Sequence, residues 1–134
     1  MKLSAIGRLD SFGIFLSVAC ALHCVLPLVM LVVAPTLASE IAELEYAHIA
    51  FVLLVAPTAF FAFRNGYQAH ASIWPGRLAV VGICLLLVSI TVHEPHWLET
   101  AITLVGTTLM VGAHASNYRL CKSCPTCRAE PSSR

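Results

Sequence analysis

The sequence predicts an all-α fold: an integral-membrane four-helix transmembrane bundle with both termini on the cytoplasmic side. Three observations predict it. First, 58% of residues are hydrophobic and only 11% charged, with a mean hydropathy of +0.82. A soluble domain carries about a quarter charged residues, so this chain lacks the polar surface to cover a water-exposed globule. Second, the apolar residues fall in four blocks, Phe12–Val33, Tyr46–Phe63, Leu78–Val92 and Thr100–Tyr118. Third, Lys2, Arg8, Arg64, Arg77, Arg119, Lys122, Arg128 and Arg134 all lie on one side of that four-span arrangement. The positive-inside rule makes that side cytoplasmic.

The first block is free of formal charge and, as a helix, is about 33 Å long against a hydrocarbon core of about 30 Å. Thr36-Leu-Ala38 has the small-residue pattern of a cleavage site. The apolar region before it exceeds the about 7–15 residues of a signal-peptide core, so a retained first span is expected. Asp10 and Ser11 read as N-caps. Asp10, Gly13, Ser17, Cys20, Cys24 and Pro27 then recur at spacings of 3, 4, 3, 4 and 3, which places them on one helical stripe. Small residues on such a stripe let membrane helices approach closely.

The second block carries His48 and Pro57, and Asn65-Gly66 after it is a turn signal. Pro75 suits the first turn of the third helix. Cys84, within that helix, reads first as a small buried hydrophobe. Glu40, Glu43, Glu45, Glu94 and Glu99, with His93 and His96, fall on the outer side, where negative charge raises local cation concentration. Trp74 and Trp97 sit where an aromatic belt would place them.

The fourth block has its own stripe: Glu99, Thr103, Gly106, Met110, His114, Asn117 and Cys121. Pro125 biases Cys124 out of helical geometry and ends the helix there. The expected organisation is a four-span domain over residues 1–120 and a cytoplasmic cysteine-rich tail over residues 121–134.

Polar groups at bilayer depth are expensive and mark functional sites. Cys20 and Cys24 are four residues apart, so their β-carbons lie about 5–6 Å apart and both sulfurs can converge on one soft cation. His23 is rotated by about 100° from Cys24 and reaches such an ion only from the side, or acts as a base for a thiol. Pro27 lacks the N–H that would bond the carbonyl of His23. Cys121, Cys124 and Cys127 form a C-x2-C-x2-C run, short of the four ligands of a structural zinc or iron–sulfur site and suited to capture and exchange.

Asp10-x2-Gly13, Ser17-x2-Cys20-x2-His23-Cys24-x2-Pro27 and His114-x2-Asn117-x3-Cys121-x2-Cys124 together resemble the MerC-type family of mercury-resistance membrane proteins, in its C-x-x-H-C branch. The resemblance covers essentially the whole chain. It implies a bacterial inner-membrane carrier, not an enzyme, that moves Hg(II) toward the cytosol. Cys20 and Cys24 would take the ion, and Cys121 and Cys124 would receive it. The candidate metal-handling residues are Cys20, His23, Cys24, His114, Cys121, Cys124 and Cys127.

No tightly bound cofactor is expected, only the transported soft ion. The expected partners are the lipid bilayer and a cytosolic thiol acceptor or mercuric reductase, with no nucleic acid. No ATP-binding loop is present. Other readings are a carrier or sensor of Zn or Cu(I), a membrane thiol–disulfide oxidoreductase, a haem bundle, or cysteines that only pack.

Overall fold

The computed structural model describes residues 2–34, 45–92 and 95–124. These residues form four helices: α1 (Lys2–Val33), α2 (Glu45–His70), α3 (Trp74–Thr91) and α4 (His96–Ser123). Pro27 and Pro57 lie inside α1 and α2, and neither ends its helix. Three helices are long and apolar enough to cross a membrane: α1 over Gly7–Met30, α2 over Ile49–His70 and α3 over Trp74–Thr91. α4 has 28 residues, about 42 Å of helix. It buries Thr103, Thr107, His114 and Asn117, and those inward polar groups lower its hydropathy.

α4 touches the other three helices, and α2 also packs on α1 and α3. The bundle is thus a rhombus with α2 and α4 on the short diagonal. Gly7 of α1 faces Tyr118 of α4, and Gly13 faces His114, so those two helices run antiparallel. Phe63 and Gly66 of α2 meet His114 and Asn117 in the same order, so α2 runs parallel to α4. The core holds Leu16, Val55, Ala59, Ala79, Leu86, Met110 and Ala113. Gly82 and Gly106 bring α3 and α4 together; a Cβ on either would come within 3.1–3.2 Å of the other's carbonyl oxygen.

Both predicted stripes are buried except at Pro27 and Glu99, which are half-buried. On α1 the buried residues are Asp10, Gly13, Ser17, Cys20 and Cys24; on α4, Thr103, Gly106, Met110, His114, Asn117 and Cys121. Large apolar residues such as Phe15, Leu22, Phe60 and Val80 point outward, as expected where lipid replaces water. Trp74 and Trp97 are exposed at helix ends.

Two local expectations are corrected. Neither Asp10 nor Ser11 is an N-cap: α1 starts eight residues before Asp10, at Lys2, so both lie inside the helix, and Asp10 is fully buried. Asn65-Gly66 is not a turn; α2 runs through it to His70, because the missing side chain of Gly66 admits the Asn117 amide. The turn falls at Ala71–Ile73 instead. Pro75 does occupy the first turn of α3. The expected boundary at 120/121 falls inside α4, which carries Cys121 as a buried helical residue and ends at Ser123. Glu40, Glu43, His93 and Glu94 of the expected acidic vestibule lie outside the described residues.

Ala71 closes α2 in the left-handed region at φ 55°. Its N–H donates to the Tyr67 carbonyl at 2.8 Å, the single bond of an αL helix cap. Glycine normally fills this position, since a Cβ there costs about 1–2 kcal/mol. Ala71→Gly should therefore raise the stability of the detergent-solubilised protein by about 1 kcal/mol, read as a higher midpoint of thermal unfolding. A lower midpoint would contradict this account of the cap.

Candidate functional site

Cys20 and Cys24 lie on the buried face of α1, 2% and 6% exposed, with their thiols in hydrogen-bonding contact. One turn toward the N-terminus, the Ser17 hydroxyl donates to the Gly13 carbonyl at 2.8 Å, so it is satisfied within its own helix. A groove of about 300 Å³ between α1 and α4 flanks the thiol stretch, lined by Ser17, Ala21, Val25, Thr107 and Val111. His23 is half-buried, its ring tilted against Phe51 of α2 with centroids 6.0 Å apart.

Deeper toward the basic end, where Arg8, Arg64, Arg77, Arg119 and Lys122 gather, a polar cluster ties three helices together. The Asp10 carboxylate of α1 accepts from His114 Nδ1 at 2.9 Å. It also accepts from Asn117 Nδ2, at 3.1 Å on Oδ1 and 2.9 Å on Oδ2. The same amide nitrogen lies 3.4 Å from the Ala62 carbonyl of α2. With its nitrogen committed as donor, Asn117 offers Oδ1 as acceptor to His70 Nε2 at 3.1 Å. His70 Nδ1 in turn accepts from the Ser72 N–H at 3.0 Å. These bonds assign His70 as the neutral Nε2–H tautomer.

Asp10 and His114 are fully buried and Asn117 is 1% exposed. The cluster fits because two glycines face it. A Cβ on Gly13 would collide with His114 Nε2, and one on Gly66 would collide with Asn117 Oδ1. Phe63 packs beside the His114 ring, centroids 4.7 Å apart. His114 Nε2 has no hydrogen-bond partner among the described residues.

The second set of thiols lies beyond this cluster. Cys121 is 1% exposed, and Cys124, half-buried at the C-cap of α4, donates its thiol to the Ala69 carbonyl at 3.2 Å. Cys127 lies outside the described residues. Cys84, expected to be buried, is exposed on α3, because its position falls on the outward face of that helix.

The structure thus joins Cys20 to Cys24, and His114 to Asp10 and Asn117. It separates those groups: Cys20 is about 15 Å along α1 from Asp10, and Cys121 about 6 Å along α4 from Asn117. No three His, Cys, Asp or Glu side chains converge on a metal position among the described residues. A resident site of the tetrahedral zinc type is not preassembled there.

Sequence reasoning did not place Asp10 and His70 in this cluster. The signal for Asp10 was its position as the one acid of the first stripe, since a carboxylate in an apolar span needs donors from neighbouring helices. His70 gave no such signal, because the Asn-Gly dipeptide assigned it to a loop.

The cluster sets a stability prediction. Asp10→Ala leaves two buried donor groups without their acceptor and should cost about 3 kcal/mol. Gly13→Ala should lower the thermal midpoint comparably, through the clash with the His114 ring. Gly112→Ala, whose Cβ meets nothing within 4 Å, should leave it unchanged or higher. Equal midpoints for all three variants would show that the cluster contributes nothing to folding.

No curated protein and no solved structure matches the chain. The family model described as MerC mercury resistance protein matches residues 10–119. The matched segment begins on Asp10 and contains Cys20, Cys24, His114 and Asn117, while Cys121, Cys124 and Cys127 lie beyond it. Most of the chain is covered, three of its helices suit a bilayer, and the protein is a membrane protein belonging to the MerC mercury resistance family.

Proposed function

We propose that this protein carries Hg(II) across the bacterial inner membrane toward the cytosol, with Cys20 and Cys24 as its binding pair. The observation that carries the reading is the two adjacent, buried thiols on the inward stripe of α1. Hg(II) is a soft ion that two thiolates satisfy in linear coordination. A pair is therefore a sufficient site where zinc would demand four ligands. Binding releases one proton from each thiol, and the two thiolates cancel the charge of the ion in a medium where a bare cation is costly.

α4 serves as the fourth span, with both termini inside. The confinement of the basic residues to one end of the bundle supports this orientation. Cys121 and Cys124 then lie at the cytoplasmic end, reduced and suited to receive the ion by thiolate exchange, as does Cys127 by its sequence position. The two pairs stand about 20 Å apart along the bundle. One direct sulfur-to-sulfur exchange cannot bridge that distance, so the ion passes the level of Asp10, about 15 Å from Cys20 and about 6 Å short of Cys121. A cytosolic thiol acceptor or mercuric reductase removes it, and that sink supplies direction without ATP.

The test is uptake of labelled Hg(II) into right-side-out vesicles. Cys20→Ser/Cys24→Ser should lower the initial rate about tenfold or more, because serine hydroxyls are hard ligands that soft metals do not select. Mass spectrometry of the reduced protein should find one Hg(II) fewer per chain in the double variant. Unchanged uptake would overturn the proposal. Preferential retention of Zn over Hg(II) would replace it with a zinc carrier.

A further inference from the structure

We propose that the groove between α2 and α3 at the basic end is a binding site for an anionic phospholipid. The inference is independent of mercury transport and needs only that the α2–α3 junction lies at a membrane surface.

The groove has a volume of about 720 Å³, within the range of cavities that hold whole small ligands. Its lining is graded along the membrane normal. Tyr67, Ser72, Gly76 and Arg77 form the end near the α2–α3 turn, and Phe63, Val80 and Val81 continue it toward the bilayer interior. That gradient is the shape of a phospholipid: a charged phosphate at the surface, an acyl chain below it.

Charge complementarity selects an anionic occupant. Arg77 is exposed in the first turn of α3, and no carboxylate pairs with it among the described residues. The only acid described at this end, Asp10, is fully buried and committed to His114 and Asn117. A guanidinium fork matches phosphate geometry with two parallel N–H donors. Just below, Val80 and Val81 are more than half exposed, an apolar wall ready to take a chain. The site also has room, for a Cβ on Gly76 meets nothing within 4 Å.

The test uses the full-length protein in detergent, titrated with phosphatidylglycerol or chain-matched phosphatidylcholine and read by native mass spectrometry. The wild type should retain phosphatidylglycerol about tenfold better, as expected for a charge-assisted phosphate contact. Arg77→Gln should erase the preference, and Gly76→Leu, which fills the groove, should weaken retention of phosphatidylglycerol. Both variants should keep wild-type helicity by circular dichroism and wild-type Hg(II) stoichiometry, so failure here is separable from failure of the transport reading. Equal retention of the two lipids, or a preference that survives Arg77→Gln, would overturn the proposal. So would displacement of phosphatidylglycerol by millimolar inorganic phosphate, which would make this a free-anion site. A dimer abolished by Gly76→Leu would assign the groove to a second copy of the chain and also overturn it.

Discussion

A carboxylate buried in a membrane-spanning helix must be met by donors, and Asp10 sets this requirement for the whole bundle. Taking a carboxylate out of water costs several kcal/mol even after relaxation. Hydrogen bonds to charged groups return about 1.5–3 kcal/mol each. Bonds from His114 and Asn117 are therefore enough to offset the cost, and only if both residues are held in place. α4 must then lie against α1 at one register, with Asn117 opposite Asp10 and His114 opposite Gly13. The Asn117 contacts with Ala62 and His70 fix α2 in turn.

The glycines follow from the same constraint. Each glycine inside a helix costs about 1 kcal/mol in propensity relative to alanine. Gly13 and Gly66 are retained because the alternative is a Cβ that collides with the His114 ring or the Asn117 amide. Gly82 and Gly106 act differently, bringing two backbones into contact where no polar cluster exists. Without a hydrophobic driving force between helices in lipid, such close approach is what holds α3 to α4.

The arrangement also gives the proposed transport path its order. The buried thiol pair of α1, the Asp10 cluster, and the thiols at the end of α4 succeed one another along the bundle axis. The proposed binding pair and the anchor share the inward stripe of α1: Cys20 and Cys24 are buried on it, while Asp10 and Gly13 lock α1 to α4. The outward faces, including the α2–α3 groove, are left to lipid.

The sequence by itself determined the membrane class, the four helices and both buried stripes, because apolar blocks and 3-4 spacing are local properties that survive any packing. It also placed Cys20 and Cys24 together, since four residues of helix put two side chains on one face. Tertiary structure decided which polar residues meet. Asp10 looks like an N-cap and Asn65-Gly66 like a turn when only neighbours in sequence are considered. Both become helix interior once Asn117, more than 50 residues away from Gly66 and more than 100 from Asp10, supplies an amide to pair with one and fill the space beside the other. Cys84 went the other way, to an exposed position, because burial in a bundle depends on which face its neighbours cover.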